Sequence, residues 1–85
     1  MWQIKYTKQA LKDKQLLENA GLALKARALI STLAQNPYQN PPPYEKLKGE
    51  ENAYSRRINR QHRLIYRVYP GEKIVKIARM WTHYQ

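Results

Sequence analysis

Apolar and polar residues alternate at the start of the chain: Trp2, Ile4 and Tyr6 are separated by Gln3 and Lys5. This is the period of a half-buried strand. Thr7 then offers an N-cap, and the spacing lengthens. Ala10, Leu11, Leu17 and Ala20 fall on one side of a helix running to about Ala20, with Gly21 placed to stop it at C′. A second helix is predicted from about Leu22 to Gln35. Leu22, Ala26, Leu29, Ile30 and Leu33 make one apolar stripe along it, with Lys25 and Arg27 elsewhere on the wheel. The break at Gly21 predicts an antiparallel helical hairpin whose Leu and Ala residues are core.

Asn36-Pro37 to Pro43 reads as an extended linker, because three consecutive prolines cannot be helical. Tyr44 to Gly49 carries Glu45, Lys46 and Lys48 around a single Leu47. Short strands are predicted at Ser55 to Ile58, at Leu64 to Tyr69, and from about Lys73 onward. Asn59 to His62 and Pro70-Gly71 supply the turns between them. Strand, helix, helix and then a meander describe one α+β domain spanning residues 1–85. The strand before His62 raises a parity question. A two-residue turn at Arg60-Gln61 pairs Ile58 with Arg63 and leaves Arg57 on the other face. An odd-length loop or a bulge would bring Arg57 and Arg63 together.

Charge changes the picture. Sixteen Lys and Arg stand against six Asp and Glu, a net charge of +10 on 85 residues. Self-repulsion at that density opposes folding, and a polyanion relieves it. Nucleic acid is the commonest such partner. The stretch from Tyr54 to Arg67 holds Arg56, Arg57, Arg60, Arg63 and Arg67 with no acid. Arginine suits bidentate phosphate contact, so this part of the sheet is the part expected against RNA. A solvated basic face and an acidic protein partner are the competing readings. A membrane surface would favour an amphipathic helix bearing Trp or Phe. Phe is absent, and seven Tyr dominate the aromatics. Tyrosine stacks on bases while its hydroxyl stays wet.

The absence of cysteine removes disulfides and thiolate metal sites. No apolar run approaches a membrane span, and the N-terminus has no signal-peptide pattern. The expected location is the cytoplasm. The acids Asp13, Glu18, Glu45, Glu50, Glu51 and Glu72 are scattered, which disfavours metal-assisted hydrolysis. The three glycines form no phosphate loop. RNA cleavage through the 2′-hydroxyl needs less. One base, one acid and one or two arginines can take the 2′ proton, protonate the leaving 5′-oxygen and hold charge on phosphate. Glu45, His83, Arg63 and Arg57 could supply that set. Taken singly, Glu45 also reads as a loop acid, His83 as a terminal residue and His62 as a turn residue.

The runs Ser55-Arg56-Arg57-Ile58 and His62-Arg63-Leu64-Ile65-Tyr66, the terminal His83-Tyr84, and Tyr44-Glu45-Lys46-Leu47-Lys48 together resemble the YoeB (Txe) family of bacterial toxins, within the RelE-like superfamily. The resemblance implies a twisted, mostly antiparallel sheet with the N-terminal strand and two-helix hairpin packed on it. It also implies the toxin of a toxin–antitoxin pair, which enters the ribosomal A site and cleaves mRNA to a 2′,3′-cyclic phosphate without a metal or other cofactor. By position, Glu45 matches the general base, His83 the general acid and Arg63 the residue that stabilises phosphate charge. Lys48 and Arg57 match supporting basic residues, and Tyr84 the C-terminal aromatic. Arg56 is grouped with the RNA-binding or supporting residues from its place in the Ser-Arg-Arg strand. Gln85 extends one residue past the tyrosine, and Trp81 and Thr82 stand where basic and aromatic residues are expected.

The implied partners are the 70S ribosome with its mRNA and a cognate antitoxin whose acidic or partly disordered segment covers the basic face. A homodimer remains open, as does operator DNA bound by the toxin–antitoxin complex alone. The alternative reading is a non-catalytic RNA- or ribosome-binding module on the same scaffold.

Overall fold

The computed structural model describes residues 1–81. Seven elements follow in order: β1 (Gln3–Tyr6), α1 (Lys8–Asn19), α2 (Ala23–Gln35), β2 (Glu45–Lys46), β3 (Ala53–Arg57), β4 (Arg63–Tyr69) and β5 (Ile74–Arg79). The strands form one sheet in the order β1-β5-β4-β3-β2. The expected α+β class is what forms, with both helices packed on a mostly antiparallel sheet. β1 is the exception, because it pairs parallel to β5 at the far end of the chain. α1 and α2 carry the chain from β1 to β2 at the opposite edge of the sheet, and the run from β2 to β5 returns to lie beside β1.

Local chemistry sets the helix limits. The Thr7 hydroxyl accepts the Ala10 N–H at 3.0 Å, capping α1. At the other end Gly21 adopts φ +74°. The Leu22 N–H donates to the Leu17 carbonyl and the Gly21 N–H to the Glu18 carbonyl, the paired bonds of a Schellman stop. The second helix buries Ala26 and Leu33 and half-buries Leu29 and Ile30, and Leu22 at its N-cap is half-buried too, as the stripe predicts. The first helix differs from expectation. Ala10 and Leu17 are buried, but Leu11 is 53% exposed and Asp13 takes a core position at 2%.

Asp13 is buried because it serves the end of β5. One carboxylate oxygen accepts the Met80 N–H at 2.9 Å and the Trp81 N–H at 3.2 Å. The other accepts from the Gln9 amide at 2.9 Å. The side chain thereby ties the helix layer to the end of the last described strand. Replacing Asp13 by Ala strands the buried Met80 N–H, and we expect a loss of about 2–3 kcal/mol. Asp13→Asn keeps an acceptor and should lose roughly half as much. Urea denaturation measures both, and equal losses would show that packing rather than hydrogen bonding explains the burial.

The two faces of the sheet differ. One face carries Tyr66, Val68, Val75 and Ile77, all at 0% exposure, against the helices. The other carries a smaller buried cluster of Leu47, Ala53 and Ile65 with Ala78 packed against it. No helix covers this second face among the described residues. A bulge between Ile65/Tyr66 and β5 shifts the register there.

The proline segment is not the extended linker expected from its sequence. It turns at Pro37-Tyr38 and bends at Pro41-Pro42, and it folds against the sheet. Arg56, expected to face RNA, is the cause. Its side chain is 1% exposed and points into the helix-side core. Its guanidinium donates to the carbonyls of Pro42 at 2.6 Å, Pro37 at 3.0 Å and Gln39 at 2.8 Å, and to the Tyr66 hydroxyl at 3.0 Å. A buried cation without satisfied donors is costly, so the loop carbonyls and the guanidinium stabilise each other. Strand parity explains the direction: Arg56 pairs with Leu64, whose side chain is fully buried.

The tyrosines follow the same pattern. Tyr38, Tyr44 and Tyr66 each pack on Tyr54 with ring centroids 5.8–5.9 Å apart. Tyr44 also covers the Arg56 guanidinium at 4.9 Å. Burial pushes the Tyr66 hydroxyl up to about 12, so it stays protonated at neutral pH. These four rings are engaged with one another rather than held out for bases.

Candidate active site

The connection from β3 to β4 decides the site. Arg57 pairs directly with Arg63. The Asn59 side chain accepts the Gln61 and His62 N–H groups at 2.9 and 2.7 Å, and the Ile58 N–H donates to the His62 carbonyl at 2.9 Å. This odd-length connection replaces a two-residue turn, and it puts Arg57 and Arg63 on the same face. Pairing of β2 with β3 then sets Glu45 opposite Ser55, which itself pairs with Ile65. Glu45, Ser55, Arg57 and Arg63 therefore share the helix-free face.

These four residues, with Pro43 and Tyr44, line a pocket of about 260 Å³. Arg63 Nη1 lies 3.8 Å from Glu45 Oε2 and donates to Ser55 Oγ at 3.4 Å. The Glu45 side chain is 71% exposed and the Arg63 side chain 25%. The contact is long and solvated, so it adds at most about 1 kcal/mol to stability. It leaves the carboxylate accessible to a proton donor and the guanidinium accessible to an anion. Two arginines directly opposite each other repel, and an anion bound between them relieves that repulsion.

The remaining sequence candidates lie elsewhere. Lys48 is exposed in the turn after β2, where it lines a separate depression with Lys46, Gly49 and Glu51. Arg56 is removed from the surface altogether. His62 is buried and stacks on Trp81, with ring centroids 3.8 Å apart and planes 20° from parallel. His83 and Tyr84 lie outside the described residues. Among the described residues, no three His, Cys, Asp or Glu side chains converge to hold a metal ion. Ser55 was not singled out from the sequence, although it stands two residues before Arg57 and a strand places such residues on one face.

A second cavity of about 240 Å³ opens on the opposite side, lined by Tyr6, Leu17, Ala26, Ile30 and Met80 among others. It is mainly apolar and far in character from the charged pocket. No helix among the described residues is long and apolar enough to cross a membrane.

Two helices on this five-stranded sheet, with an acid and paired arginines on its open face, place the molecule with bacterial toxin–antitoxin toxins. A YoeB/ParE toxin from Agrobacterium tumefaciens superposes with a TM-score of 0.85 at 26% identity, over 96% of this chain and 99% of the other. The YoeB-YefM complex from Staphylococcus aureus gives 0.80 at 32% identity, over 99% of both chains. Toxin YoeB of Synechocystis sp. (strain ATCC 27184 / PCC 6803 / Kazusa) is 35% identical over 74 residues, 86% of this chain and 77% of that protein. The family described as YoeB-like toxin of bacterial type II toxin-antitoxin system matches residues 6–84. The chain belongs to this YoeB family, and it is a type II toxin.

Proposed function

We propose that the chain is a ribosome-dependent mRNA endoribonuclease that stops translation by cutting in the A site. The observation that carries this reading is the meeting of Glu45, Ser55, Arg57 and Arg63 around one pocket on the helix-free face. Glu45 takes the proton of the RNA 2′-hydroxyl. The freed oxygen attacks the adjacent phosphorus, and the bond to the 5′-oxygen breaks, leaving a 2′,3′-cyclic phosphate. His83 protonates the departing 5′-oxygen. Arg63, supported by Arg57, holds the charge that gathers on the phosphate oxygens. Lys48 and Tyr84 complete the set by their match to the family. Every group needed is a side chain, so the scheme uses no cofactor.

The long Arg63–Glu45 contact supports dependence on the ribosome. A solvated pair is poorly preorganised, and a partner that aligns the 2′-hydroxyl with phosphorus supplies what it lacks. The proposed setting is the cytoplasm. An antitoxin covering the basic face is the proposed neutralising partner, as the S. aureus relative is found in a YoeB-YefM complex. A homodimer has a precedent in the YoeB dimer of the same organism.

A cleavage assay on programmed 70S ribosomes tests the reading, with His83→Ala alongside the wild type. Cutting at the A-site codon by wild type alone, ending in cyclic phosphate, is the expected result. Cutting by both would remove His83 from the acid role. Ribosome binding without cutting by either would establish the non-catalytic binding module instead.

A further inference from the structure

The helix-free face carries more like-charge contacts than the pocket needs. Lys5 of β1 pairs in register with Lys76 of β5, and Lys76 pairs with Arg67 of β4. The strand alternation puts all three on the face that carries Arg63, because Arg63 and Arg67 are four residues apart on one strand. Three cations thus stand side by side across three neighbouring strands. Strand spacing makes the row about 10 Å long, and it lies about 13 Å along β4 from Arg63. Lys5 and Lys76 are exposed. Glu50 reaches Arg67 at 3.2 Å and offsets one charge of the three. Like charges directly opposite each other destabilise a sheet, and this arrangement repeats the Arg57–Arg63 pair at a second place on the same surface.

We propose that Lys5, Lys76 and Arg67 form a second phosphate-binding row, which holds the backbone of the RNA strand as it leaves the Glu45–Arg63 pocket across the helix-free face. The inference rests on the RNA-cleaving reading above and extends it to a surface remote from the reacting atoms. Two observations favour an RNA backbone over an acidic peptide. The floor between pocket and row is made of Leu47, Ala53 and Ile65, exposed by 9%, 1% and 6%, so it presents little apolar surface for peptide side chains to grip. What the path offers instead is charge at intervals, the feature a sugar–phosphate chain reads without regard to sequence.

The experiment compares wild type with the Lys5→Gln/Lys76→Gln double variant. Binding to a short fluorescein-labelled oligo(U) is measured over a range of salt, and ribosomal cleavage is measured in parallel. Loss of two phosphate contacts should lower the slope of log affinity against log salt by about 1.4. Affinity at low salt should fall several-fold. Cleavage at saturating toxin should be unchanged, with more toxin needed for half-maximal rate. Lys5→Arg/Lys76→Arg should restore the slope. Both sites are exposed and the Gln variant removes repulsion, so its melting temperature at low salt should equal or exceed that of wild type.

An unchanged slope overturns the row, as does absence of oligo(U) binding by wild type. Loss of affinity for a poly-glutamate peptide with oligo(U) binding intact also overturns it, and assigns the row to an acidic protein. The two readings fail separately. A reduced slope with no ribosomal cutting by wild type keeps the row and removes the nuclease. Normal cutting with an unchanged slope does the reverse.

Discussion

Arg63→Ala should slow A-site cleavage by about 10²–10³-fold once the ribosome has aligned the RNA, the loss typical when one charge-stabilising donor is removed. Arg63 stands beside the Ser55 hydroxyl and the Glu45 carboxylate on a strand flanked on both sides, so its guanidinium projects from a rigid floor. Arg63→Lys keeps the charge but loses the planar fork that fits two phosphate oxygens at once, and it should fall between wild type and Ala. Neither change should weaken the fold, because the native side chain faces Arg57 across the strands and its ion pair with Glu45 is long and solvated. Single-turnover cleavage on programmed ribosomes, read with thermal melts, separates the two effects. A near-wild-type rate for Arg63→Ala would take Arg63 out of the chemistry.

The neighbouring arginine should behave in the opposite way. Arg56→Ala should destabilise the protein by about 3–5 kcal/mol. It leaves the carbonyls of Pro37, Gln39 and Pro42 without their donor and opens a void among Tyr44, Tyr54 and Tyr66. A chain of this length has roughly 4–13 kcal/mol in total, so the variant should be partly unfolded or nearly so. Arg56→Lys should not rescue it, since a single ammonium cannot reach three carbonyls spread along the loop and the Tyr66 hydroxyl on β4 at once. Arg57→Ala, one residue on, should change the urea midpoint little while weakening cleavage. If Arg56→Ala instead melted like wild type and lost only RNA binding, the surface role expected from its sequence would be right and its burial wrong.

The contrast within Arg56-Arg57 shows how far sequence reaches. Both are arginines in a basic run, and composition treats them alike. Strand alternation says that they point to opposite faces, but not which face the helices will cover. That is settled only when β4 pairs with β3 and places Arg56 beside Leu64 and Arg57 beside Arg63. The register depends in turn on the connection at 58–62, where the Asn59 side chain closes an odd-length turn. Two- and three-residue turns differ little in sequence signal, and a slip of one residue exchanges the faces of the whole strand.

Glu45 gives a second case. Its proximity to Arg63 comes from a two-residue strand at the sheet edge, after a loop held in place by Arg56. No local pattern announces such a strand, because its pairing energy comes from β3 rather than from its own residues. Asp13 is similar. Its spacing from Ala10 and Leu17 places it on the apolar face of α1, which a polarity reading excludes from the core. The Met80 and Trp81 N–H groups that make its burial favourable are about 67 residues away in the chain.

What the sequence determined by itself was whatever depends on neighbours a few residues apart. The Thr7 cap, the Gly21 stop, the stripe on α2 and the order of the two helices and of β1, β3, β4 and β5 are of this kind, and so is the excess of positive charge. The tertiary structure decided which of the arginines became core and which became surface. It also decided that β1 closes the sheet beside β5, and that Glu45 meets Arg63. Those outcomes follow from pairing between distant strands, where one residue of register sets the direction of every side chain.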